Sequence, residues 1–143
     1  MKKQRIRPIA IGVFESAGRI LVYEGYDTVK EKYFYRPLGG GIEFGETGAQ
    51  ALVREMREET GEEIKDVAFL GMIESIFTCN GDPGHEIVLV YRAAFCSDAV
   101  YLREELTAGE DDGTVIRVRW MEKEWFRANP GMLVPEELVE MIG

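Results

Sequence analysis

The stretch "PLGGGIEFGETGAQALVREMREETGEEI", Pro37 to Ile64, decides how this chain is read. Its first ten residues carry too much glycine for a regular element and predict a loop. Thr47 with Gln50 three residues later fits a capping box, and Gly61 fits a helix stop, so a helix is expected between them. At about 100° per residue, Ala49, Leu52, Val53 and Met56 form an apolar stripe that should face a sheet. Glu55, Glu58 and Glu59 then fall in the neighbouring sector at i, i+3 and i+4, where their carboxylates converge.

That crowding requires compensation. Like charges at this spacing cost a helix about 0.2–0.5 kcal/mol per pair, and partial burial adds to it. Glu43 to Glu63 holds seven glutamates and only two basic residues, Arg54 and Arg57. A solvated acidic face is the plain explanation. The alternative is a hard divalent cation, Mg²⁺ or Mn²⁺, which takes oxygen ligands from one or two carboxylates, from water and from substrate phosphates. The preceding glycines favour the cation, because they let backbone approach ions and phosphates closely.

Gly40 to Glu62 resembles the Nudix box, G-x5-E-x7-R-E-U-x-E-E-x-G-U, where U is a bulky apolar residue. Gly40, Glu46, Arg54, Glu55, Met56, Glu58, Glu59 and Gly61 match it. The chain departs at Glu62, where an apolar residue is usual and Ile64 is the nearest substitute, and in "PLGGG", where many members read Pro-Gly-Gly. The resemblance implies an α/β/α sandwich around a central mixed β-sheet, with the catalytic helix after the glycine-rich loop. It implies Mg²⁺-dependent hydrolysis, with Mn²⁺ a substitute, of a nucleoside diphosphate linked to another moiety. The competing reading is a Nudix-fold nucleotide-binding or regulatory module with little hydrolysis. By the same resemblance Glu55, Glu58 and Glu59 are metal ligands and Glu55 or Glu58 the water-activating base. Glu46 and Arg54 orient loop and helix, the Gly39 carbonyl is a further metal ligand, and a later acidic loop supplies another, for which Glu110 is preferred over Asp111 and Asp112.

Working outward, strands are expected at Pro8–Phe14 and Arg19–Gly25, paired as a hairpin through "ESAG", and at Lys32–Arg36. Long strands follow at Val67–Phe77 and His85–Phe95 around the turn-rich "TCNGDPG", and another at Val115–Met121. Thr107–Gly113 is expected as a polar loop. Short helices are expected at Glu122–Arg127 and after Pro135 through Met141. The class is mixed α/β, and 1–143 is read as one domain.

Composition bounds the partners. With 26 acidic against 17 basic residues, the net charge of −9 argues against a nucleic-acid polymer, though not against phosphates once a cation is bound. Cys79 and Cys96 lack a metal-binding spacing and are read as reduced thiols, hence a cytoplasmic protein. "MKKQRIRPIAIGVFES" mimics a signal peptide but runs into Glu15 without a cleavage site, and is read as the first strand. No apolar run reaches the roughly 20 residues that span a bilayer. A homodimer is left open.

Outside the box the candidates are plainer. Arg36 and Arg19 are candidates for substrate phosphate, against a surface role; Tyr33, Phe34 and Tyr35 include a candidate for base stacking, Tyr35 first. Gly40 and Gly41 bring backbone to the substrate. His85 is set aside as a base, and Phe77 and Asn80 stand where substrate choice can be made.

Overall fold

The structure is a computed structural model that describes residues 4–109 and 112–143. Strand β1, Ile6–Val13, has the apolar run "IAIGV" buried throughout, as expected of a strand covered on both faces. It does not form the expected hairpin with Arg19–Gly25. The chain leaves β1 at the buried Phe14, and a two-residue strand β2, Glu15–Ser16, pairs with β3, Arg19–Asp27, across Ala17 and Gly18, both at positive φ. β1 is instead claimed by parallel pairing with β7, Asp82–Phe95, which satisfies its backbone over eight register pairs from Ile6↔His85 to Val13↔Arg92.

Strand β4 is Lys32–Arg36, as expected, and pairs with β3. The glycine loop holds a short strand that composition did not announce: β5, Gly39–Gly41, lies antiparallel on β1. Only glycine permits this approach, since a Cβ on Gly39 would stand 2.0 Å from the Ala10 carbonyl oxygen. Helix α1, Gly48–Thr60, has both halves of the Thr47–Gln50 capping box and ends at Gly61 with φ 75°.

Strand β6, Ile64–Cys79, and β7 form a hairpin longer than expected, turning at Asn80 and Gly81, both at positive φ as a two-residue turn of this hand needs. A 3-10 turn at Asp98–Leu102 leads to β8, Glu105–Gly109, and β9, Val115–Glu122. β8 corrects the expected polar loop: Leu106 and Ala108 alternate into the core while pairing with β9, and two apolar positions in so short a run were too few to signal a strand. α2, Lys123–Ala128, and α3, Leu138–Met141, close the chain.

The strands form two hydrogen-bonded sheets, β5-β1-β7-β6 and β2-β3-β9-β8, with β4 also on β3. The first is mixed, its β1–β7 pair parallel and its other pairs antiparallel. Alternation along β1 and β3 distributes the core to both sides. Ala10, Phe14 and Leu21 join Leu52 and Met56 of α1, while Ile9, Ile11, Ile20 and Val22 join Phe126, Leu133 and Leu138 near α2 and α3. The result is the mixed α/β layering expected.

Candidate active site

α1 docks on a slightly different face from the one the helical wheel indicates. Gly48, Ala51, Leu52 and Met56 are buried, whereas Ala49 and Val53 pack at the margin. Gly48 is part of the cause: a Cβ there would lie 2.2 Å from the Tyr91 hydroxyl oxygen, so the absent side chain lets the first turn sit on β7. Ile64 takes a place in this core, and Glu62 turns outward to Arg103 at 3.8 Å.

This docking turns Arg54 and Glu55 toward the glycine segment. Glu55 presses on Gly40 so closely that a Cβ would stand 2.3 Å from its carboxyl carbon. Arg54 is the hub. It donates to both Glu46 oxygens, Nη2 to Oε1 at 2.7 Å and Nε to Oε2 at 3.2 Å, the bidentate geometry a guanidinium favours. Nη2 also reaches the Gly41 carbonyl at 2.9 Å, and Nη1 bridges Glu55 Oε1 at 2.8 Å and Glu58 Oε2 at 3.2 Å. Glu46 in turn accepts the Glu43 N–H at 2.8 Å and so ties the turn before α1 to the helix.

The electrostatics follow from these contacts. The bond from Arg54, then the backbone N–H of Glu43, hold the Glu46 carboxyl below its ordinary range. The bond to Glu46, followed by Glu55, pushes the Arg54 guanidinium above its already high value against the opposing effect of burial, so it stays charged. Glu55 is well covered, with 13% of its side chain exposed, whereas Glu58 is 48% exposed.

The expected convergence of three carboxylates is only partly met. Glu55 and Glu58 meet through Arg54 and Glu59 stands half-buried beside them, but among the described residues no three acidic, His or Cys side chains close into a metal-sized cluster. Mutual repulsion opposes closure, and a guanidinium nitrogen lies between two of the acids. The donors still fit a hard divalent cation: they are oxygens on adjacent helical turns, already drawn to a common positive centre. Gly39 adds to the fit. Gly12 N–H donates to the Leu38 carbonyl and Ile42 N–H to that of Pro8, which makes 12/38 and 8/42 the bonded pairs of the β1–β5 ladder. Alternation makes 11/39 and 9/41 non-bonded pairs, so the Gly39 and Gly41 carbonyls point away from β1; that of Gly41 meets Arg54.

The other candidates separate. Glu110 and Asp111 lie outside the described residues, and Asp112 caps its own turn by accepting the Thr114 N–H at 2.9 Å. Arg36 lines a cavity of about 710 Å³ bounded by both sheets, together with Phe34 and Phe77. Tyr35 does not join it. As its strand neighbour it points to the opposite side, is buried among residues of the α2/α3 core, and donates its hydroxyl hydrogen to Glu24 at 2.8 Å. Asn80 joins two turns by accepting from the Thr28 N–H and hydroxyl. Arg19 and His85 do not line the cavity.

Among the cavity residues that went unread in the sequence are Arg7 and Glu86. A signal existed for Glu86, since it is in phase with the buried Val88 and Val90 on β7 and is itself 6% exposed. Arg7 carried none.

Comparison with known proteins agrees with this architecture. The family model described as NUDIX domain matches residues 3–140. Among solved structures the fold is similar to a NUDIX hydrolase from Nitrosomonas europaea, with TM-score 0.63 and 20% identity over 96% of this chain and 86% of that one. It is also similar to a MutT NUDIX hydrolase from Burkholderia pseudomallei, with TM-score 0.61 and 22% identity over 85% and 86%, and to the E. coli ORF135 protein, with TM-score 0.54 and 19% identity over 97% and 87%. No curated protein sequence matches significantly. With a family match that spans nearly all of it, the chain belongs to the NUDIX domain family, that of the Nudix hydrolases, which act on nucleoside diphosphate derivatives.

Proposed function

We propose that the chain hydrolyses the pyrophosphate linkage of a nucleoside diphosphate bound to another moiety, with Mg²⁺, or Mn²⁺ in its place, held by Glu55, Glu58, Glu59 and the Gly39 carbonyl. The observation that carries this reading is the single guanidinium, Arg54, that gathers Glu46, Glu55, Glu58 and the Gly41 carbonyl at one point. When bound, the cation neutralises phosphoryl charge and lowers the pKa of a coordinated water. The protein's own part is positional. Arg54 and Glu46 lock the glycine segment to α1, Gly40 makes room for Glu55, and Gly41 keeps backbone close to the substrate. Glu55 or Glu58 takes the proton of the attacking water, Glu58 being the more exposed.

Both cysteines are free thiols, which supports a cytoplasmic setting, and among the described residues no helix is long and apolar enough to cross a membrane. The test is a screen of purified protein against nucleoside triphosphates, nucleotide sugars, ADP-ribose and dinucleoside polyphosphates with Mg²⁺ or Mn²⁺. Cation-dependent release of two phosphorylated products supports the reading. Saturable binding without turnover would replace it with a nucleotide-binding module.

A further inference from the structure

The cavity between the sheets contains none of the α1 carboxylates, yet it adjoins them. Gly41 is the link: its carbonyl accepts from Arg54 on one side, and a Cβ on it would lie 3.6 Å from Arg7 Nη2 on the other. At that end of the cavity the buried Glu86 accepts from Arg36 Nη2 at 2.7 Å, with Arg7 Nη1 4.0 Å from its other oxygen. Glu86 is covered by its surroundings, the Arg36 side chain is 17% exposed, and that of Arg7 is 50% exposed. We propose that Arg7 and Arg36, with Glu86 as positioning residue, form an anion subsite that holds the substrate phosphate farther from the α1 carboxylates. The proposal rests on the hydrolase reading only in taking that phosphate to be part of a nucleoside diphosphate derivative.

Three features carry the inference. A guanidinium has five N–H donors, and the Glu86 bond uses one from Arg36. Burying a carboxylate is costly unless it is paired, and Glu86 is paired with arginines from different strands, which holds the Arg36 fork at the seam of the two sheets. The cavity as a whole is not cationic, since Glu74, Glu136 and Glu137 also line it. The Gly41 end is distinguished by two guanidinium groups sharing one acid. Away from it, Phe34 lies over Gly25 and Phe77 over Gly84, each so close that a Cβ on the glycine would stand under 2.5 Å from the ring. These rings give the remainder of the substrate apolar surface, and the volume is that of a small-molecule site.

The test is calorimetric titration of methylenediphosphonate, a non-hydrolysable pyrophosphate analogue, with Mg²⁺ present, alongside kcat and KM on the nucleotide found by the screen. Arg7→Gln and Arg36→Gln should each weaken analogue binding about tenfold and raise KM similarly, with kcat within about threefold of wild type. Arg127→Gln, an equal charge change on α2, should leave both unchanged. Analogue affinity and KM within about twofold of wild type in both cavity variants would overturn the subsite, whatever their melting temperatures. If a glutamine variant does not fold, Arg36→Lys replaces it: the charge stays but the guanidinium's planar set of donors is lost, weaker binding is expected, and unchanged affinity overturns the proposal. Arginine-dependent analogue binding without turnover of any nucleotide would leave the subsite standing and remove the hydrolase reading. Turnover with KM indifferent to both arginines would do the reverse.

Discussion

Two ion pairs of the same length, 2.7 Å, join Arg54 to Glu46 and Arg36 to Glu86, and they are built in opposite ways. The first spans eight residues and belongs to one loop-helix unit, so capping, helical pitch and the glycine segment bring its members together. The second spans fifty residues and joins strands of different sheets, so it exists only once both sheets have formed. The difference assigns them different work. A local unit holds carboxylates at the narrow tolerance that catalysis demands, while a seam between sheets makes a space whose width suits a substrate.

The largest effect should come from the local unit. Glu58→Gln removes a metal-binding charge without changing shape, and kcat should fall by about a hundred- to a thousandfold with the melting temperature nearly unchanged; full turnover would sink the catalytic role given to α1. Gly40→Ala should follow, because its Cβ would meet the Glu55 carboxyl at 2.3 Å. Displacing that group by about an ångström should lower kcat about tenfold to a hundredfold, and kinetics showing a change in KM alone would contradict it.

Arg54→Gln probes the hub through stability. It leaves Glu46 and Glu55 part-covered without their shared cation, and denaturant unfolding should register a loss of about 2 kcal/mol, the scale of a charge-assisted bond partly screened by solvent. A loss no larger than that of an exposed pair such as Arg57–Glu63 would mean the hub is decorative. Thr47→Ala should cost about 1 kcal/mol through the lost cap, read in the same experiment.

The subtlest test is pH. Folding depresses the Glu46 carboxyl below its ordinary 4.5, so the stability it contributes is present above that value and is lost as pH falls through the folded-state value. Wild type should therefore lose more stability than Glu46→Gln between neutrality and strong acid; parallel losses would remove the linkage.

The same contrast explains what was legible in the chain. Thr47, Gln50 and Gly61 delimited α1 because caps act within one turn, and Arg36 ended β4 where expected. The predicted hairpin of β1 with Arg19–Gly25 failed because local turn chemistry says nothing of the parallel partner β7, whose paired residues lie about eighty positions on, as from Ile6 to His85. β5 hid among glycines, whose freedom marks a loop until a neighbouring backbone needs the space of a Cβ. Tyr35 and Arg36 looked equally available to a substrate, but adjacent strand residues take opposite sides, and the packing of α2 and α3 buried the tyrosine.

By itself the sequence determined the loop, the helix and the acids along it, with Arg54 among them, since covalent geometry and helical pitch carry that arrangement wherever the segment folds. Only the tertiary structure decided that Gly39 turns its carbonyl from β1 and that Glu86 meets two arginines. Those meetings depend on the register of β1 with β5 and on the meeting of the two sheets, which are properties of distant segments acting together.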